Sequence, residues 1–273
     1  TIPAAITQRR RRGEPAGGFG FDMPRSRFGM RDPARGKNGI QAPARHSPSS
    51  AAAPVRPDRM TRRAEEDRRG FLLRWLRFRP RVEMAGLVVA FLACVAEFHE
   101  RDRGFTSLLS IGDVLSETKV TALRSVPHHV YEGSAGYDGA YYVQLALYPA
   151  LDNPELRKAI DNLPYRARRI LTSWAAWVLG AGRPAWVVQA YALLNVGCWL
   201  ALGWVLLRWF PPDGWGNVLR WGAVMFSHGL CMSARHSLVD GPALLLVALA
   251  MRWLEDGRGW AGGAALALSG LAK

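Results

Sequence analysis

Cysteine is scarce in this chain. There are three in 273 residues, Cys94, Cys198 and Cys231, and their spacing fits neither a zinc site nor a disulfide framework. All three fall within apolar segments, where a free thiol is expected to act as a small buried hydrophobe. Acid is scarce in residues 1–81, which hold 7 Asp+Glu against 20 Lys+Arg, a net charge of +13. The remainder carries 15 against 16, so the overall +14 is essentially N-terminal. Large apolar residues are scarce in residues 1–69, which are rich in Arg, Pro, Gly, Ala and Ser and lack sustained periodicity. Such a composition cannot bury enough surface to offset the ordering entropy, and it predicts a disordered basic tail over 1–69. Runs such as Arg9-Arg10-Arg11-Arg12 suit anionic lipid, but no folded nucleic-acid reader accompanies them, so no nucleic-acid partner is expected. No small-residue cleavage site follows Ala96, which argues against a signal peptide. The chain opens on Thr1 and stops at Lys273 inside an apolar run, which reads as a fragment of a longer protein.

What the chain does have is a series of apolar segments over residues 70–273, predicting an all-α, polytopic transmembrane helical bundle. Residues 70–81 interleave arginines with Phe71, Leu72, Leu73, Trp75 and Leu76, the pattern of an interfacial helix. Residues 82–98 follow as a slightly short span, with Val82, Phe98 and bilayer thinning making up the length. Eight arginines between Arg62 and Arg81 set its N-terminus on the cytoplasmic side. The expected location is thus the cell inner membrane, multi-pass, with the polar interval 99–169 outside. Ile170 to Leu179 is too short to span and reads as interfacial or re-entrant. Ala185 to Phe210 is a clear span with Trp186 and Trp209 near its ends, and Val218 to Met232 is a span broken by Ser227, His228 and Gly229. Gly241 to Trp253 and Trp260 to Leu271 complete the series. Counting crossings puts Asp138, Asp240 and Lys273 on one side.

The polar interval carries the chemistry. Gly136-Tyr137-Asp138-Gly139-Ala140-Tyr141-Tyr142 sets an acid between two glycines that permit a tight turn and close backbone approach. Tyr137, Tyr141 and Tyr142 offer flat faces for a sugar ring, and the carboxylate is suited to take a proton from an acceptor hydroxyl. A helix is expected over Tyr141 to Leu147, ended by Tyr148-Pro149. Another is expected over Leu156 to Leu163, with Asn153 as N-cap and Pro154 in the first turn. Arg166, Arg168 and Arg169 stand directly before an apolar helix and suit a phosphate at headgroup depth. His236 and Asp240 flank Ser237-Leu238-Val239 at a membrane boundary, beside Arg235, where ionisable groups are functional candidates. His128-His129 is an adjacent pair better read as loop residues than as metal ligands.

On Gly136-Tyr137-Asp138-Gly139-Ala140-Tyr141-Tyr142, Asp152-Asn153-Pro154, Tyr165-Arg166-Ala167-Arg168-Arg169, Asp240-Gly241-Pro242 and Gly270-Leu271-Ala272-Lys273, the chain resembles multi-pass GT-C-type glycosyltransferases. These are relatives of the polyprenyl-phosphate-sugar mannosyltransferases. The resemblance covers roughly residues 82–273. It implies a hexosyltransferase with a lipid-linked sugar donor, a glycan or lipid acceptor and membrane lipids as partners. It also implies an outer-loop acid, here Asp138, acting as base or metal contact, with Asp240 assisting. Ala140 stands where relatives often have glutamine, and Tyr148-Pro149 where they often have Asp-Pro. The missing second acid leaves metal dependence open: no cofactor is assigned and a divalent metal is compatible. The resemblance also implies a further C-terminal half, without which the chain is expected to be inactive. The alternative from another class is a non-catalytic transporter or a scaffold of cell-envelope polymer assembly.

Overall fold

The computed structural model describes residues 59–273 apart from Leu115; side chains at 72–78 and at several positions between 59 and 69 are outside the description. The expected tail over 1–58 and the side-chain pattern of the 72–78 stretch therefore lie outside the described residues. Among those described there are eleven α-helices and no strand, only two isolated bridges, Glu100 with Gly104 and Gly112 with Tyr131. The all-α expectation holds at that level.

Helix α1 runs Arg59–Ala96 as one unbroken element with Pro80 inside it, so its first eleven residues fall within the expected tail. Its apolar part, Met84 to Ala96, ends sooner than expected, and Glu97 to Arg101 turn away in a tight bonded loop. The polar interval then folds as short pieces: a 3₁₀ turn Thr106–Leu109, α2 (Thr121–Arg124), α3 (Asp138–Leu147), α4 (Leu156–Ala159) and α5 (Leu163–Ala167). The helix expected over Leu156 to Leu163 is broken. Asn153 makes a local turn by accepting from the Glu155 amide at 2.8 Å rather than capping a long helix. Ile160 is extended, and Asn162 caps the next helix by accepting from the Tyr165 amide at 3.1 Å, with Pro164 in its first turn.

Next come α6 (Leu171–Leu179), α7 (Pro184–Leu206), α8 (Trp215–Met225), α9 (His228–Arg235), α10 (Asp240–Glu255) and α11 (Gly259–Ala272). Helix α7 is the one among the described residues long and apolar enough to cross a membrane. Pro184 opens it, where the missing N–H costs nothing. Just before it, Gly180 lets α6 fold back: a Cβ there would stand 2.5 Å from the Val187 nitrogen. The expected break at Ser227 is real, since α8 stops at Met225 and α9 begins at His228.

Helix α7 links two apolar cores. Its Val187, Val188, Tyr191 and Ala192 join α3, α4, α6 and the loop in one core. Val196, Trp199, Leu202, Val205 and Leu206, one helical face further on, join α1, α8 and α9 in the other. In the second core Phe91 stacks on Trp199 at 3.7 Å. The buried indoles are satisfied: Trp199 donates to the Met225 carbonyl and Trp221 to the Gly203 carbonyl, each at 2.9 Å. Of the cysteines, Cys94 is exposed and Cys198 and Cys231 are half-buried, so the expectation that all three fill the core is corrected. Cys94 lines an apolar pocket with Phe91, Phe98, Phe226 and Cys231.

Candidate functional site

The loop ahead of α3 is built by close backbone contact. Gly112 packs against the Ser134 carbonyl, where an added Cβ would lie 1.9 Å from that oxygen. The Asp113 carboxylate accepts the amides of Gly133 at 3.0 Å and Ser134 at 3.1 Å. Those bonds, the Gly133 amide first, hold its pKa below the ordinary value. Arg235, at the end of α9, grips the same loop by donating to the Ser107 carbonyl at 3.1 Å and the Tyr131 hydroxyl at 2.8 Å. Gly136, at φ +82, makes the turn into α3. Gly139 does not turn the chain: it is helical, and its value lies in close approach, since a Cβ would stand 2.3 Å from the His236 carbonyl oxygen.

Asp138 opens α3. Its Oδ1 accepts from Arg166 Nη2 at 3.1 Å, and Arg166 also donates to both carboxylate oxygens of Asp161, at 2.6 Å from Nε and 2.9 Å from Nη2. The Arg166 side chain is only 7% exposed. Burial opposes its charge, but the bonds to Asp161 and Asp138 outweigh that and raise its pKa. The guanidinium lies 4.3 Å over the Tyr141 ring and 5.3 Å over that of Tyr142. Two expectations change here. Arg166 is engaged by two carboxylates rather than open to a phosphate. Tyr142 is fully buried, so it packs the core beneath Arg166 and cannot meet a sugar. Tyr141 gives one face to Arg166, and Tyr137 remains exposed.

Arg168 is exposed, and Arg169 donates to the Tyr165 hydroxyl at 2.6 Å while stacking on its ring at 4.5 Å. Burial works against the charge of Arg169, yet the hydroxyls of Tyr142 and Tyr165 and the charge of Asp240 raise its pKa. Arg169 therefore lies within the electrostatic reach of Asp240. His236 stacks on Tyr137, ring centres 4.6 Å apart, and its Nδ1 is 2.7 Å from Ser110 Oγ. Asp240 opens α10 and pairs with Lys273 Nζ at 2.6 Å.

Tyr137, Asp240 and Lys273, together with Ser227, His228 and Gly241, line one cleft of about 470 Å³ floored by Leu230, Met232, Leu238 and Leu244. The N-cap of α3, Tyr137, and the first residues of α9 and α10, His228, Gly229, Asp240 and Gly241, line it, so three helix N-termini meet at the cleft. The cleft thus brings together Tyr137, Asp240 and Lys273, with His236 stacked behind Tyr137 and Asp138 one residue further into α3. Arg166 sits behind Asp138, and Arg168 is not part of this group. His128 and His129 are elsewhere in the loop: His128 Nδ1 is 2.7 Å from the Val126 carbonyl, and His129 Nδ1 is 2.5 Å from Glu100 Oε1. Among the described residues no group of three His, Cys, Asp or Glu is spaced to hold a metal.

Sequence reasoning missed Asp161 and Ser110. Asp161 had a weak signal in its place before a capping Asn-Leu-Pro; Ser110 had none. No family model, no curated protein and no solved structure matches the chain.

Proposed function

We propose that the chain belongs to a multi-pass membrane glycosyltransferase that moves a hexose from a polyprenyl-phosphate donor to an acceptor hydroxyl. The observation that carries this reading is the cleft where Tyr137 and Asp240 meet at three helix N-termini, with Asp138 one residue away. In this reading α7 crosses the bilayer, and the apolar part of α1, the broken α8–α9 segment, α10 and α11 cross beside it. The arginines between Arg62 and Arg81, in the first part of α1, stay cytoplasmic, and the interval 99–169 lies outside.

Asp138 takes the proton of the acceptor hydroxyl as that oxygen attacks the anomeric carbon. The bond from that carbon to the phosphate oxygen breaks with inversion, and polyprenyl phosphate leaves. Arg166 holds Asp138 in place from behind. The charge that grows on the leaving phosphate is met by the helix N-termini, with Lys273 in the cleft and Arg169 within electrostatic reach of Asp240. Tyr137 packs on the sugar, and Asp240 orients the acceptor.

The test is transfer of a labelled sugar by the full-length protein, with its C-terminal half, in lipid vesicles. Asp138→Asn is expected to lower the rate at least about 100-fold, the usual range for loss of a positioned base; an unchanged rate removes Asp138 from the role. Cysteine labelling at positions 138 and 240 is expected from one face of sealed vesicles, and labelling from opposite faces breaks the shared site. One observation favours a second reading, a non-catalytic transporter: the α8–α9 break sends the start of α9 into the cleft, as broken helices do at transport sites. Substrate flux without any transfer product in the same vesicles decides for it.

A further inference from the structure

Ser110 holds His236 by a short hydrogen bond, Oγ to Nδ1 at 2.7 Å, across 126 positions of sequence. The serine is 7% exposed, so it is not placed to attack a substrate. Its backbone is left-handed, φ 51, a conformation residues other than glycine seldom hold. It is kept there on a short loop: the Tyr137 amide donates to the Ser110 carbonyl at 2.9 Å, and Gly136 packs against that same oxygen. The side chain is therefore aimed by the fold rather than by its own preference.

Three groups surround the pair. Arg235 Nη1 lies 3.5 Å from Ser110 Oγ. A guanidinium has only donors, so the serine oxygen turns one lone pair toward Arg235, and Nδ1 is the acceptor within reach of its hydrogen. The Tyr137 ring covers one face of the imidazole at 4.6 Å, and Gly139 packs on the His236 carbonyl. Burial, with Arg235 beside it, lowers the pKa of His236 and keeps the ring neutral near neutral pH. A neutral imidazole that accepts at Nδ1 carries its proton on Nε2.

We propose that Ser110 is a positioning residue that locks His236 as the Nε2–H tautomer, which makes the ring an uncharged hydrogen-bond donor to a phosphate oxygen in the adjoining cleft. The phosphate half rests on the transferase reading above; the tautomer does not. An uncharged donor suits this place, since Lys273 already supplies positive charge in the cleft and the ring adds direction.

The experiment uses the full-length protein, with its C-terminal half, labelled with ¹⁵N-histidine, with His236 assigned by the signals lost in His236→Gln. The expected spectrum near neutral pH has no proton on Nδ1 and one on Nε2, and added inorganic phosphate shifts the Nε2 signal. Ser110→Gly suits the left-handed backbone, so it removes the hydroxyl without strain. It is expected to yield a tautomer mixture and to raise the KM for the polyprenyl-phosphate donor roughly fivefold, with kcat within about twofold, the size of one lost neutral hydrogen bond. A proton on Nδ1 in the unaltered chain, or the same tautomer in Ser110→Gly, overturns the lock. A phosphate-insensitive Nε2 signal overturns the donor role. A locked tautomer that responds to phosphate in a chain with no transfer activity supports the Ser110 assignment and overturns the transferase reading instead.

Discussion

Asp138 and Asp240 each open a helix beside the same cleft, and each meets one cation, yet the two corners are built differently. Asp138 meets Arg166, whose side chain is 7% exposed, shared with Asp161 and covered by two tyrosine rings. Asp240 meets Lys273, whose side chain is 60% exposed. A guanidinium clasped by two carboxylates in a buried slot has one geometry available and fixes its partner. An exposed ammonium on a flexible stem is worth little as a pair and is free to leave for an incoming anion. One acid is held still, and the other is lightly held. That division suits a base that must be aimed and a neighbour that must accommodate a ligand.

The comparison breaks most sharply at Arg166. Arg166→Ala leaves Asp138 and Asp161 without their cation and opens space beneath Tyr141 and Tyr142. It is expected to cost about 3 kcal/mol, the low end for a broken buried pair because both carboxylates are about half exposed. Thermal unfolding of the purified protein reads it; a cost no larger than for Lys273→Ala erases the distinction between the corners.

Gly139→Ala attacks the seam between them. The added Cβ would meet the backbone oxygens of His236 at 2.3 Å and Leu109 at 3.0 Å, and backbone cannot swing aside. The better helix propensity of alanine offsets part of the strain, leaving an expected net loss of about 2 kcal/mol and a displaced His236. Unfolding together with the Tyr137–His236 ring-current shift checks both parts.

Acid sharpens the comparison. Asp161 has its pKa lowered from the ordinary value of 3.8, chiefly by its bond from Arg166. Its contribution is therefore present above that value and fades as pH falls through the lower folded value. Stability measured from pH 5 downward is expected to decline below about pH 4. Arg166→Ala flattens that decline in part, because Asp113 and Glu155, also lowered, keep their share. The smallest effect belongs to the lightly held corner. Lys273→Ala is expected to change stability by less than about 1 kcal/mol while weakening binding of inorganic phosphate, measured by titration.

Much of the fold was legible because helix ends are local events. Pro184 starts α7, Gly180 to Gly182 end α6, Pro211 and Pro212 follow α7, and Ser227 marks the break after α8; each acts through its own backbone or its nearest neighbours. The failures were also local in origin. Asn153 read as the cap of one long helix, but the chain spends it on a turn and caps the next helix with Asn162, which had not been singled out.

The site was less legible, because its residues meet over long separations. The position of Asp138 beside glycines and tyrosines drew attention to the right corner, and Asp240 to the right boundary. Arg166 read as a surface cation, since nothing near it in sequence announced burial against Tyr141 and Tyr142. Tyr142 and Tyr137 looked alike, five positions apart, until packing sent one into the core and left the other on the cleft.

By itself, the sequence determined an all-helical chain, the punctuation of its helices, a basic N-terminal segment and an acid in a glycine-bounded turn. These follow from backbone freedom, side-chain polarity and spacing, which act within a few residues. Tertiary structure alone decided that Arg166 clasps Asp138 and Asp161, that Ser110 reaches His236, and that three helix N-termini share one cleft with Lys273. Such contacts depend on which helix faces meet, and that is settled only when the apolar surfaces of α3, α6, α7, α9 and α10 are packed together.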